Sequence, residues 1–151
     1  MKIVSLAISR KKGTRKEPTA CLTLIKDQGV EGDAHAGPWH RQISFLASEQ
    51  IASAAASGLD VGYGDFAENI SSSGVDWKNL PLGTIVRLGR DALVEITQIG
   101  KECHKKCAIF YQAGDCIMPR EGVFGRVLEG GTLSVGDPIH IESLGQEVQH
   151  G

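Results

Sequence analysis

Short runs in which apolar and β-branched residues alternate with polar ones recur along this chain, each bounded by glycine-containing turns. They predict strands over KIVSLAIS (2–9), ACLTLIK (20–26), RQISFLA (41–47), TIVRLG (84–89), ALVEITQIG (92–100), FGRVLEG (124–130) and PIHIES (138–143). The alternation is imperfect, as in curved strands that carry bulges. Arg90 and Asp91 separate the fourth run from the fifth, so those two are expected to form a hairpin. One helix is signalled after the third run. Ser48 is placed to cap it, Glu49 favours its positive end, QIASAAAS supplies helix formers, and Gly58 can end it in the left-handed conformation. Ile51 is its one large apolar side chain, and a shorter helix can form around Lys105 to Tyr111.

LPLGTIVRL (80–88) laid over LSVGDPIHI (133–141) repeats one order: apolar, any, apolar, glycine, two residues, then apolar positions spaced by two. This is either one turn-strand unit used twice, which suits a closed or nearly closed barrel, or the chance likeness of two common patterns. No linker or low-complexity tract divides the chain. The expectation is a mainly β fold in a single domain over residues 1–143, with 144–151 as a tail and the basic run RKKGTRKE (10–17) as a mobile loop.

Composition narrows the function classes. The 151 residues are enough for one core without metal or disulfide staples. A formal charge of -2 gives no field for a polyanion, so nucleic acid is not an expected partner. No apolar run approaches the roughly 18 residues of a membrane span, and MKIVSLAISRKKG does not read as a secretory signal. A cytoplasmic location is expected, where the four cysteines stay reduced. Each cysteine is then core filler, ligand or nucleophile, and Cys21, in an apolar strand, reads as core filler.

The densest chemistry is GKECHKKC (100–107). A thiol is a nucleophile or soft ligand only as thiolate, and cations lower the pKa that controls this. Lys101, His104, Lys105 and Lys106 surround Cys103, while Glu102 opposes them. A solvated lysine-rich turn with inert thiols is the competing reading. Zinc would want four nitrogen or sulfur ligands. Cys103, His104, Cys107 and Cys116 are available, but the Cys-x3-Cys spacing has no second pair.

Three further stretches carry polar groups. In GVEGDAHAGPWHRQISF (29–45), Asp33, His35, His40 and Arg41 gather before an apolar strand, either lining a pocket or satisfying a loop. Glu68 and Asn69 interrupt a plausible strand within GYGDFAENISSSG (62–74), whose glycines and serines can donate to an anion but lack the phosphate-loop spacing. Arg120 and Arg126 flank a turn and can grip a phosphate or carboxylate if they converge on a cleft.

The ordered motifs GVEGDAHAG…HRQISFL, GDFAENI, LPLGTIVRLG, VEITQIGKECHKKCAIF and VFGRVLEGGTLSVGD resemble the MOSC domain family, named for the C-terminal domain of molybdenum-cofactor sulfurases. The resemblance covers about residues 1–143 and suggests a small stand-alone, bacterial-type member. It implies a β-barrel-centred fold that binds molybdenum cofactor, an anionic phosphorylated molybdopterin. It also implies that a cysteine just past the VEITQ-like strand serves as molybdenum ligand or persulfide carrier. By position this is Cys103, with Cys107 as the competing or resolving thiol.

On the same basis Lys101, His104 and Lys105 would activate Cys103. Arg126, Arg41 and His40 would hold the pterin phosphate, and Asp33, His35, Glu68 and Asn69 would line the pocket. Partners would be the cofactor, a sulfur-donor protein or other maturation proteins. Pyridoxal phosphate is not expected, because the chain has nothing the size of the sulfurases' pyridoxal-phosphate domain. The alternatives are a molybdenum-dependent reductase of N-hydroxylated compounds and a small zinc-stabilised interaction domain.

Overall fold

The computed structural model describes residues 1–10, 16–58, 61–99 and 122–145. Among them the chain is mainly β. Each of the seven expected strands is present: β1 (Lys2–Ile8), β3 (Cys21–Ile25), β5 (Ile43–Ala47), β7 (Ile85–Leu88), β8 (Ala92–Ile99), β9 (Val123–Glu129) and β11 (Ile139–Ser143). Four shorter ones join them: β2 (Glu17–Thr19), β4 (Gly29–Val30), β6 (Ile70–Ser73) and β10 (Gly131–Ser134). β7 and β8 form the expected hairpin, pairing Leu88 with Ala92.

One sheet runs β11-β7-β8-β9-β5-β6-β1-β2, and a second runs β10-β3-β4. The larger sheet curls until β1 meets the residues that lead into β11. Ile3 N–H donates to Asp137 O at 2.8 Å, Gly136 N–H to Ile3 O at 2.8 Å, and Ile139 N–H to Met1 O at 3.0 Å. This seam gives the far end of β1 backbone partners that an open sheet would leave unpaired.

Both stretches of the repeated pattern fold as a turn feeding a strand. Thr84 N–H donates to Pro81 O and Asp137 N–H to Ser134 O, each at 3.1 Å, around Gly83 (φ +87°) and Gly136 (φ +95°). These are turns that need a left-handed residue in third place. Each glycine N–H also reaches a neighbouring strand, Gly83 to Ile96 O and Gly136 to Ile3 O. The strands that follow, β7 and β11, pair with each other.

Between β5 and its parallel neighbour β6 lies helix α1 (Ser48–Ala56). Its cap differs from expectation. Ala47 takes the cap position, Ser48 is already helical, and the Ser48 hydroxyl bonds to Glu49 Oε1 instead of the backbone. Strand β5 runs directly into the helix, so an extended Ala47 is the junction. Gly58 follows the helix at φ +104°, as expected. Ile51 and Ala54 face inward and join Leu46, Phe66, Ala67 and Phe124 in a small core outside the curled sheet. The main core fills its inside, with Ile3, Phe45, Trp77, Val94, Ile96 and Val123 among its members. There Phe45 and Trp77 pack with ring centroids 4.6 Å apart, and the indole N–H donates to Ser72 Oγ at 2.7 Å.

Two expectations about individual residues need correction. Cys21 is exposed, because the phase of β3 turns Leu22 and Leu24 inward and its odd positions out. Lys16, read as part of a mobile basic loop, is buried. The helix expected near Lys105 to Tyr111 lies outside the described residues. Of the tail expected over 144–151, residues 146–151 do so too, while Gly145 N–H donates to Thr84 Oγ1 at 2.9 Å.

Candidate functional site

The segment between β4 and β5 folds back on itself through short backbone bonds, with Asp33 N–H donating to Val30 O and Ala36 N–H to Asp33 O, each at 3.1 Å. The Asp33 side chain is thereby turned inward to meet Lys16. Lys16 Nζ stands 2.8 Å from Asp33 Oδ1, and neither side chain has any exposed surface. Backbone N–H groups complete the carboxylate, Ser9 to Oδ1 and His35 to Oδ2, both at 3.0 Å. Burial alone would push the Asp33 carboxyl up. The opposing pull of Lys16 and of the donors around the carboxylate, the Ser9 and His35 amides, outweighs it and holds the group well below the usual carboxylate range.

Lys16 is held at its backbone as well as at its tip. Its N–H donates to Gly64 O at 2.7 Å, and a Cβ on Gly64 would lie 2.1 Å from Lys16 O. Gly64 N–H in turn donates to Glu68 Oε2 at 2.7 Å. Glu68 is fully buried and also accepts from Phe66 N–H and Ser71 Oγ–H. Its carboxyl is nevertheless pushed up, because burial outweighs those donors. Asn69 joins strands: its Oδ1 accepts from Ser44 N–H at 3.0 Å and its Nδ2 donates to Ala7 O at 3.2 Å. Both side chains are therefore engaged inside the fold.

These two carboxyls act oppositely on stability. Between 4.5 and its raised folded value, Glu68 keeps a proton that the unfolded chain has lost, so its contribution falls as pH rises through that window. Asp33 is depressed, so its contribution is intact above 3.8 and is lost as pH falls toward its folded value. Stability is expected to rise first on acidification and then drop. In Glu68→Gln the rise should vanish while the drop remains, as read from urea midpoints across pH.

Beyond His35 the loop carries an aromatic and cationic cluster. Trp39 N–H of the indole donates to His35 O at 2.7 Å, and the Arg41 guanidinium lies 5.9 Å from the Trp39 ring centroid and 5.4 Å from that of Phe124. Arg41 Nε donates to Gln98 Oε1 at 2.9 Å. His40 is exposed, and its carbonyl accepts from the Thr97 hydroxyl. Arg126, two residues beyond Phe124 on β9 and so on the same face, pairs through Nε with Asp27 Oδ1 at 2.6 Å.

Gln98 pairs with Phe124 and Ile99 with Val123 at the ends of β8 and β9. The stretch that bears the cysteines leaves and rejoins the sheet at this point, beside Arg41. Cys103, Cys107, Lys101, His104, Lys105 and Arg120 themselves lie outside the described residues. Among the described residues no group of three histidine, cysteine or acidic side chains could hold a metal ion. Next to the loop a cleft of about 390 Å³ is lined by Ile8, Arg10, Thr19, Cys21, Glu31 and Gly32.

The structure thus brings Asp33 and His35 together and sets Arg41 among aromatic rings, while Glu68 and Asn69 brace the framework. Sequence reasoning overlooked Lys16, Trp39, Gln98 and Phe124. Lys16 was hidden in a basic run, where solvation is the ordinary fate of a lysine. Trp39 stood next to His40 and could have been found as an aromatic within a polar cluster.

The family model described as "MOSC domain" matches residues 32–140. Among solved structures, the chain is similar to YiiM from Geobacillus stearothermophilus (TM-score 0.72, 23% identity, covering 94% of this chain and 75% of that one). It is also similar to YiiM from Escherichia coli (0.70, 23%, covering 98% and 73%). A third likeness is to the YuaD protein from Bacillus subtilis (0.74, 18%, covering 91% and 93%). At these identities the likeness is one of fold. No curated protein matches the chain significantly.

Proposed function

This chain belongs to the MOSC domain family, which is associated with molybdenum-cofactor proteins, and from that premise we propose that it binds, carries or delivers molybdenum cofactor or its sulfur through Cys103. The observation that carries this reading is the pairing of Ile99 with Val123, which roots the cysteine-bearing stretch beside Arg41, Gln98 and Phe124. Cys103 is four residues beyond Ile99, so covalent geometry keeps it within roughly 15 Å of that strand end. Cys107 has about twice the tether.

The donors around this loop suit a phosphorylated pterin. Arg41 spends Nε on Gln98, which leaves its terminal nitrogens for a phosphate. Trp39, half-buried, supplies a flat apolar face against which a fused ring can lie, while the buried Phe124 backs Arg41. His40, exposed nearby, and Arg126, on the Phe124 face, would add to the phosphate contacts. Asp33 and Lys16 keep the loop in place. When bound, the cofactor would supply a molybdenum centre held by dithiolene sulfur, for which a thiolate is a fitting soft ligand. Lys101, His104 and Lys105 would keep Cys103 in that form.

The test uses protein purified from molybdenum-replete cells. Cys103→Ser is expected to lose the persulfide mass increment and most of the bound molybdenum, as read by mass spectrometry and elemental analysis, whereas Cys107→Ser keeps both. A Cys103→Ser protein that matches the wild type in both readouts rejects the assignment.

A further inference from the structure

The Lys16–Asp33–His35 cluster fixes more than a buried charge pair. Besides Asp33, Lys16 Nζ lies 3.3 Å from Ser9 Oγ and 3.3 Å from His35 Nδ1. An ammonium has hydrogens and no lone pair, so toward a ring nitrogen it can only donate. His35 Nδ1 is then the acceptor, and the hydrogen of the ring sits on Nε2.

The opposite arrangement, Nδ1–H donating to Asp33, fails on distance. Nδ1 is 3.7 Å from Asp33 Oδ2, beyond hydrogen-bond range. That oxygen is already taken by the His35 backbone N–H at 3.0 Å. The ring is also held in orientation. It lies 22° from the plane of Trp39 with centroids 6.5 Å apart, and the Trp39 indole holds the His35 carbonyl. Among the described residues none bonds to the Nε2 edge.

We propose that Lys16 is a positioning residue that locks His35 in its Nε2–H tautomer, so that the loop offers a ligand a hydrogen-bond donor suited to a phosphate oxygen and withholds the lone pair that a metal ion needs. The phosphate part rests on the reading that this loop faces a phosphorylated pterin. The tautomer part stands apart from it, because it is a property of the protein alone.

Nitrogen-15 NMR of histidine-labelled protein, recorded well above the ordinary histidine pKa, reads the tautomer directly. In the wild type, Nδ1 of His35 is expected at an acceptor shift and Nε2 at a protonated one. Lys16→Met removes the donor that holds Nδ1 as an acceptor, so the ring loses its fixed tautomer and a share of the hydrogen is expected to appear on Nδ1. A wild type with its hydrogen on Nδ1, or a folded Lys16→Met that keeps it on Nε2, overturns the positioning role. If the variant does not fold, a wild-type hydrogen on Nδ1 still overturns the role.

Titrating wild type with inorganic phosphate is expected to shift the Nε2 resonance, and a pterin without phosphate to leave it unmoved. No response to phosphate, or a response to the bare pterin alone, overturns the donor role. Neither result touches Cys103, whose assignment fails or stands on the persulfide and molybdenum readouts.

Discussion

Replacing Lys16 by methionine is expected to cost about 3–5 kcal/mol of folding free energy, the range for breaking a buried pair by removing one partner. Methionine keeps most of the apolar stem and removes the ammonium, so the loss is electrostatic more than volumetric. It strands the Asp33 carboxylate, which has no exposed surface. Two backbone N–H donors, from Ser9 and His35, remain on that carboxylate and hold the loss toward the lower end. An exposed ion pair would be worth no more than about 1 kcal/mol, so the size of the effect distinguishes the two cases.

Removing the second charge as well should recover much of the loss. In Lys16→Met/Asp33→Asn no uncompensated ion is left, and the double variant is expected to be more stable than Lys16→Met alone. Urea denaturation of both measures this. A loss under about 1 kcal/mol in the single variant would mean that water reaches the pair.

Gly64→Ala should be nearly as damaging, at about 2–5 kcal/mol, from two sources that add. Gly64 sits at φ +86°, where a side chain costs about 1–2 kcal/mol. The added Cβ would also stand 2.1 Å from Lys16 O and 3.4 Å from the Ala7 Cβ. The first contact is with backbone, which cannot rotate away, and overpacking of this kind costs about 1–3 kcal/mol. Relief would pull Gly64 O from the Lys16 amide and shift the lysine itself. Calorimetry reads the stability, and the His35 resonances read the displacement. A variant with native stability would show that this approach is looser than 2.1 Å implies.

Period and punctuation were enough to find the long strands, since Val86, Leu88, Val94 and Ile96 alternate inward as written and each run ends in a turn former. The shorter strands carry a weaker signal, and of β6 the sequence shows only a plausible strand interrupted at Glu68 and Asn69. β4 is two residues long, β2 is largely exposed and contains Pro18, and β6 reads ISSS, in which Ser71 and Ser72 are buried with Glu68 and Trp77 as partners. Local propensity cannot register bonds supplied from elsewhere in the chain.

The site divides in the same way. Asp33, His35, His40 and Arg41 are close in sequence, so their density was visible. Lys16 and Phe124 reach them only through tertiary folding, and nothing in a basic run or in FGRV marks either. Cys21 was misjudged because residue type was read without strand phase: one step along β3 decides between core and water.

The seam between β1 and the turn at Gly136 sets the order in which this molecule can be made. On one side Ile3 pairs with Ser72, but its own N–H and C=O bond to Asp137 and Gly136, so on a ribosome that stretch of the first strand's edge stays open until almost the whole described chain has emerged. Pairings this distant in sequence slow the final step of folding. During synthesis the nascent chain therefore carries an open strand edge of the kind that favours aggregation.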